Sequence, residues 1–151
     1  MAGLVSGKQI ALSQPINAAV EISSEAGKIN FDNLDVSAAF AKVNAEGSAE
    51  KIRYDGQLDL AKLQSELGQF IDIGRYKIAG QVLSSGEVSI ATDKITAVGS
   101  SVVKNLNITS PEGLVASEPL ADIAFVAQTD KKTVNIDSIQ AKAALGRMSV
   151  K

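Results

Sequence analysis

A chain of 151 residues with net charge −2 and 45% hydrophobic residues carries enough apolar material for a sizeable buried surface. It has no basic run to suit nucleic acid or an anionic membrane surface. It contains no His and no Cys, which excludes His-based triads, the HExxH zinc site, imidazole proton shuttles and disulfides, and deprives zinc, copper and haem of their best ligands. Trp is absent and the only aromatics are Phe31, Phe40, Tyr54, Phe70, Tyr76 and Phe125. The other apolar residues, nearly all Ala, Val, Ile and Leu, suit thin sheet faces better than a bulky centre.

Period-2 alternation of apolar residues, the mark of strands, recurs along most of the chain. Lys8–Leu12 reads as a short strand, and Ile16–Ile22 alternates Ile16, Ala18, Val20 and Ile22. After Gly27, Lys28–Val36 puts Ile29 and Phe31 on one face. Two residues, Asp32 and Asn33, then separate Phe31 from Leu34 and Val36, and this extra residue predicts a β-bulge. Ala38–Ala45 and, beyond Glu46-Gly47, Glu50–Leu60 continue the pattern.

The rhythm changes at Leu60, Leu63, Leu67, Phe70 and Ile71. That is helical spacing and predicts one short amphipathic helix at about 60–71, capped by Asp59 and ended at Gly68 or Gly74. Strands resume at Arg75–Leu83 and, after a Ser84-Ser85-Gly86 turn, at Glu87–Ala91. Lys94–Val98 and Ser101–Thr109 follow. Pro111–Pro119 reads as a loop and Leu120–Thr129 as a strong strand. After a turn at Asp130-Lys131-Lys132 come Thr133–Ile139 and Ala141–Val150.

The chain also repeats itself. Ile29–Val43 aligns without a gap on Val134–Met148, at an offset of 105 residues, with identities at Asn30/Asn135, Asp32/Asp137, Ala38/Ala143 and Ala39/Ala144. Convergent strand patterning can give part of this match, but Asn-x-Asp-x-(Leu/Ile) at the predicted bulge is its less generic portion. The second copy runs out at Lys151, so the sequence is expected to stop partway through a repeating unit. It is treated as one β-rich domain, 1–151, excised from a larger repeat-containing protein. No run approaches the roughly 20 apolar residues of a membrane-spanning helix. The start lacks the charged and apolar regions of a signal peptide.

Candidate chemistry is sparse. Ser-x-x-Lys occurs at Ser48/Lys51 and Ser101/Lys104, but both lie in strand-like sequence, where an odd separation sends the two side chains to opposite faces. The carboxylates Asp32, Asp35, Asp55 and Asp59 match no calcium loop and read as turn, bulge and cap residues. Six aromatics supply little of the lining that a glycosidase site needs. No glycine pattern marks a nucleotide site, and Asn107-Ile108-Thr109 is a sequon only in a secreted eukaryotic protein. Tyr54 and Tyr76 read as sheet residues. The expectation is a protein that is not an enzyme, with no catalytic, metal or cofactor-binding residues.

Gly56-Gln-Leu-Asp-Leu-Ala-Lys-Leu-Gln-Ser-Glu-Leu resembles the G-x-L-D-L-x-x-L strand-to-helix step of AsmA-like proteins, the group that includes AsmA and TamB. Gly80-Gln-Val, Gly86-Glu-Val-Ser-Ile and Val134-Asn-Ile-Asp-Ser-Ile-Gln-Ala resemble the strand repeats of the same family. The likeness covers about residues 28–151 as a pattern, without the membrane anchor or the full length of the family. It implies the bacterial periplasm or cell envelope, a parent anchored in the inner membrane, and a role in lipid transport or outer-membrane assembly. The implied partners are lipid acyl chains, envelope proteins and neighbouring repeats of the parent chain. The alternative is a structural or adhesive β module of a bacterial surface protein that binds no lipid. The expected fold is mainly antiparallel β with one short helix, as either a curled sheet with an open apolar face or a closed sandwich.

Overall fold

The computed structural model describes residues 2–5, 8–68, 75–129, 133–144 and 146–150. In chain order the elements are β1 (Ala2–Val5), β2 (Lys8–Ala11), β3 (Asn17–Glu25), β4 (Lys28–Ser37), β5 (Ala41–Ser48), β6 (Lys51–Asp59), α1 (Leu60–Leu67), β7 (Lys77–Ile90), β8 (Ile95–Ser110), β9 (Gly113–Thr129), β10 (Val134–Ala143) and β11 (Gly146–Val150). β3 to β11 form one nine-stranded antiparallel meander in which every strand pairs with its neighbours in sequence, and β1 and β2 form a separate hairpin.

The mainly β, one-helix architecture is as expected, and of the two expected arrangements the open sheet is the one found. The nine-stranded sheet does not close on itself, and among the described residues the β1–β2 hairpin makes no substantial contact with it. Pairing is strictly sequential, and even the longest connection, which carries α1, returns the chain to the strand's own neighbour. Only Ala45 and Glu118 are buried among the described residues, and no large side chain is fully buried. The chain exposes 10493 Å², against roughly 7,300 Å² for a compact monomer of its 15.7 kDa.

The predicted bulge is present. Asp32 is the extra residue: β3 pairs Glu21 with Asn33 and Ile22 with Phe31, and β5 pairs Gly47 with Phe31 and Ala45 with Leu34. The repeat is also present as structure. Val20↔Leu34 and Ile22↔Phe31 correspond, at the offset of 105, to Phe125↔Ile139 and Ala127↔Ile136, with the second bulge at Asp137. Leu34↔Ala45 and Val36↔Val43 likewise correspond to Ile139↔Val150 and Ala141↔Met148. Each bulge Asp accepts a side-chain hydrogen bond from the preceding strand, Asp32 from Ser23 at 2.9 Å and Asp137 from Gln128 at 2.7 Å. The donors are themselves 105 residues apart.

The helix is shorter than the predicted 60–71. Asp59, in extended conformation, accepts the Lys62 N–H at 3.0 Å, and Gly68 caps the other end. Phe70 and Ile71 lie outside the described residues. α1 follows directly on β6, whose last residue Asp59 pairs with Gln81, so β7 from Lys77 to Gly80 has a stretch of edge with no β6 partner. The Gln64 carboxamide fills that gap, donating to Tyr76 O and accepting from Ile78 N, both at 2.7 Å. One side chain thus supplies the donor and acceptor that a strand would have supplied.

Four predicted breaks are wholly or mostly strand interior instead. Ser84-Ser85-Gly86 is no turn but the middle of β7, and Gly99 is the middle of β8. Glu46-Gly47 belongs to β5, with the turn falling at 49–50. Pro111–Pro119 is a loop only at 111–112, and Pro119 sits within β9. The ladder accommodates it: no pairing joins Asn105 to Pro119 between Lys104↔Leu120 and Leu106↔Glu118. Asn105 takes a left-handed φ of 51° and lies in a bulge of β8, where Asn105 and Leu106 together stand opposite the single Gly80 of β7, itself at φ 140°. Gly80, Asn105 and Pro119 therefore make a crease across three strands.

Candidate functional site

Direct cross-strand partners share a face, so the register sorts the whole sheet into two faces. One row runs Val20, Leu34, Ala45, Tyr54, Gly86, Gly99, Phe125, Ile139. The rows on either side run Ile22, Phe31, Gly47, Ile52, Val88, Ala97, Ala127, Ile136 and Ala18, Val36, Val43, Gly56, Ser84, Ser101, Ile123, Ala141. This face is apolar across all the strands from β3 to β10. The opposite face carries Asp35, Lys42, Asn44, Arg53, Asp55, Gln57, Glu87, Gln128 and Lys142 at the alternate positions, with Leu83, Val98, Val102 and Val126 among them on the middle strands. Along β6 the alternation is complete: Ile52, Tyr54, Gly56 and Leu58 are half-buried, and Lys51, Arg53, Asp55 and Gln57 are exposed.

The glycines at the centre of the apolar face leave room for the two rings beside them. A Cβ on Gly86 would come within 2.8 Å of the Tyr54 hydroxyl oxygen. One on Gly99 would meet that oxygen and Phe125 Cζ, both at 2.7 Å. The two aromatic rings therefore lie down over the backbone of β7 and β8 from opposite sides and meet over Gly99. Beside them the Ser101 hydroxyl donates to Ser84 Oγ at 3.0 Å, which satisfies two polar groups within the apolar face. Glycine in these strands is thus a floor for aromatic side chains, and that is why Ser84-Ser85-Gly86 misread as a turn.

The polar face is held by lateral contacts. Asp35 accepts from Asn44 at 2.7 Å and pairs with Lys42 at 3.6 Å. Glu87 is bridged by Lys51 at 2.9 Å and Arg53 at 3.6 Å, and its carboxyl is held below the usual range, chiefly by the hydrogen bond from Lys51 and also by the charge of Arg53. This face has a shallow depression of about 530 Å³ whose lining includes Lys42, Asn44, Asp55, Gln57 and Ser100. No group of three metal-ligating side chains occurs among the described residues.

The sequence candidates fall apart as chemistry. Ser48 and Lys51 do not point apart as expected. They pair directly across the β5–β6 turn and share the polar face, because the intervening residues make a hairpin rather than continuous strand. Ser48 accepts a backbone bond from Glu50 at 3.3 Å, and Lys51 is engaged by Glu87. Ser101 and Lys104 do point apart, Ser101 to the apolar face and Lys104 to the polar one. Of the carboxylates, Asp32 serves the bulge, Asp59 the helix cap and Asp35 a lateral pair, while Asp55 stands exposed at the depression.

Two polar tie points were not anticipated. Ser13 donates its backbone N–H at 2.9 Å, and also its hydroxyl, to the Glu66 carboxylate. This fastens the segment before β3 to α1 and holds the Glu66 carboxyl below the usual range. Glu118, in β9, is buried, and its Oε1 accepts from Ala144 N at 3.2 Å and Leu120 N at 3.4 Å, joining β9 to the turn after β10. A second match carries the same signal: Ser13-Gln14-Pro15-Ile16 corresponds to Ser117-Glu118-Pro119-Leu120 at an offset of 104.

No protein-family model, no curated protein and no solved structure matches the chain. No described helix is long and apolar enough to cross a membrane.

Proposed function

We propose that this chain is a non-enzymatic segment of an AsmA-like envelope protein that supports lipid transport or outer-membrane assembly in the bacterial periplasm, with acyl chains lying along its apolar sheet face. The supporting observation is that face itself. It is continuous from β3 to β10, and among the described residues Val20, Ile22, Ile29 and Ile136 on it are each at least half exposed, as on a face that takes an apolar ligand. A methylene buried against protein contributes about 0.8 kcal/mol, so a dozen methylenes covered on one side contribute on the order of 5 kcal/mol. That is enough for reversible loading and weak enough for release.

The test is native mass spectrometry of protein isolated from cells, with titration of a fluorescent fatty acid. Co-purified phospholipid and saturable binding are expected. Val82→Glu, on the apolar face, abolishes binding, and Val98→Glu, on the polar face, leaves it intact. A lipid-free chain that binds no fatty acid sinks the reading for this segment and favours the structural or adhesive module.

A further inference from the structure

The sheet has an edge whose missing neighbour the same molecule displays elsewhere. β3 is the outermost strand on its side, and all nine of its residues are exposed, Val20 at 51% and Ile22 at 60%. Its sequence, Asn-Ala-Ala-Val-Glu-Ile-Ser-Ser-Glu, contains no Lys and no Pro to blunt the exposed edge, and its only charges are Glu21 and Glu25. Its counterpart at the offset of 105 is the second half of β9, which makes the same bulged hairpin with β10 that β3 makes with β4. β9, however, is paired along its other edge with β8.

The equivalence extends beyond β3. In the small hairpin of β1 and β2, Leu4↔Gln9 and Val5↔Lys8 sit, at the same offset, where Thr109↔Leu114 and Ser110↔Gly113 form the tip of the β8–β9 hairpin. The tip is therefore reproduced in β1 and β2, which precede β3 in the chain, whereas among the described residues no strand takes the place of the body of β8 beside β3.

We infer that the free edge of β3 is a strand-docking site for an extended segment patterned like β8, with small apolar and polar residues alternating. The segment adds antiparallel in the register that β8 takes on β9. Position 99 of such a strand lies opposite Val20, position 97 opposite Ile22 and position 101 opposite Ala18, mirroring Gly99↔Phe125, Ala97↔Ala127 and Ser101↔Ile123. Backbone hydrogen bonds supply the affinity, and the face alternation supplies the register. This concerns the edge of the sheet and is independent of whether its face carries lipid.

The probe is a synthetic peptide of residues 95–106 added to the whole chain, followed by fluorescence anisotropy, with hydrogen exchange to locate it. Saturable binding is expected, with new amide protection confined to β3 and no binding by the same peptide N-methylated at alternate residues. The register is tested with Val20→Cys, since the chain has no native cysteine. In a glutathione redox buffer, a peptide with Cys in place of Gly99 should cross-link at least about tenfold faster than one with Cys in place of Val98, whose side chain points to the opposite face. Absence of binding overturns the inference. So does protection that appears on β11 instead of β3, or cross-linking that ignores position.

Discussion

The hairpin β3–β4 and the hairpin β9–β10 have the same register, the same bulge and the same side-chain bond to the bulge Asp, yet their surroundings differ completely. In the first, the outer strand is exposed along its whole length. In the second, Phe125–Thr129 are half-buried beside β8. Local sequence therefore determines how these strands pair and bend, whereas burial is determined by which strand lies next to them. In a single-layer sheet the neighbour along the hydrogen-bonding direction does the work that a second layer does in a sandwich.

The largest effect expected from this difference lies under Phe125. A side chain at Gly99 would meet Tyr54, Phe125 and the Ser85 carbonyl oxygen at 2.9 Å or less. Gly99→Val should therefore cost about 2–3 kcal/mol in urea unfolding, as overpacking does in a filled site. A loss below about 0.5 kcal/mol, the range of an ordinary surface substitution, would mean that the rings lift off the sheet freely.

The comparison sharpens with one substitution in each copy. Phe125→Ala, at a half-buried position over Gly99, should cost about 1.5–2.5 kcal/mol, somewhat below the range for fully buried Phe. Val20→Ala, at the equivalent but exposed position, should cost less than about 0.5 kcal/mol. Equal losses would show that neighbour coverage does not control stability here. A β8-patterned peptide bound to β3 should raise the cost of Val20→Ala toward that of its counterpart.

Much of the local architecture was legible in the sequence. The Asp59 cap, the one helix, the repeat and the bulge at Asp32 all followed from spacing, because caps, periods and bulges are local. The breaks were not. Ser84-Ser85-Gly86, Gly99 and Pro119 have turn composition, but whether a small residue ends a strand or floors an aromatic depends on Tyr54 and Phe125, which are distant in sequence. The facing of Ser48 and Lys51 was missed for the same reason: an odd separation means opposite faces only where no turn intervenes. The apolar face was visible residue by residue in the alternation, whereas its openness depends on whether a second layer exists, which no window of sequence states. The Glu66 and Glu118 ties carried no local signal beyond the Ser-(Gln/Glu)-Pro match.

Edges also differ in how they are finished. The edge of β7 exposed where β6 turns into α1 is closed by Gln64, while that of β3 has no strand beside it among the described residues. Gln64→Ala removes two hydrogen bonds at a half-buried site and should cost about 1–2 kcal/mol. It should also speed exchange of the Ile78 amide without changing the amides of β3. The nearby Ser13–Glu66 tie adds a pH dependence of known sign. Because the folded carboxyl titrates below its ordinary value of 4.5, the tie is intact above that value and is released as pH falls through the lowered pKa. Protection of the Ser13 amide should fall over that window and be insensitive to pH in Glu66→Gln.

The smallest effect concerns the feature that the two copies share most closely. Asp32 and Asp137 each accept one exposed side-chain bond, from Ser23 and Gln128. Asp→Ala at either should cost no more than about 0.5–1 kcal/mol, since an exposed bond is exchanged for one to water. The informative quantity is the difference between the two. If the bulge is a purely local device, the losses agree to within about 0.3 kcal/mol, the usual limit of additivity between distant sites. If Asp137→Ala costs distinctly more, then β8, which is present beside only that copy, stabilises the bend as well as covering the strand. The bulge would then no longer be separable from the neighbour that β3 lacks.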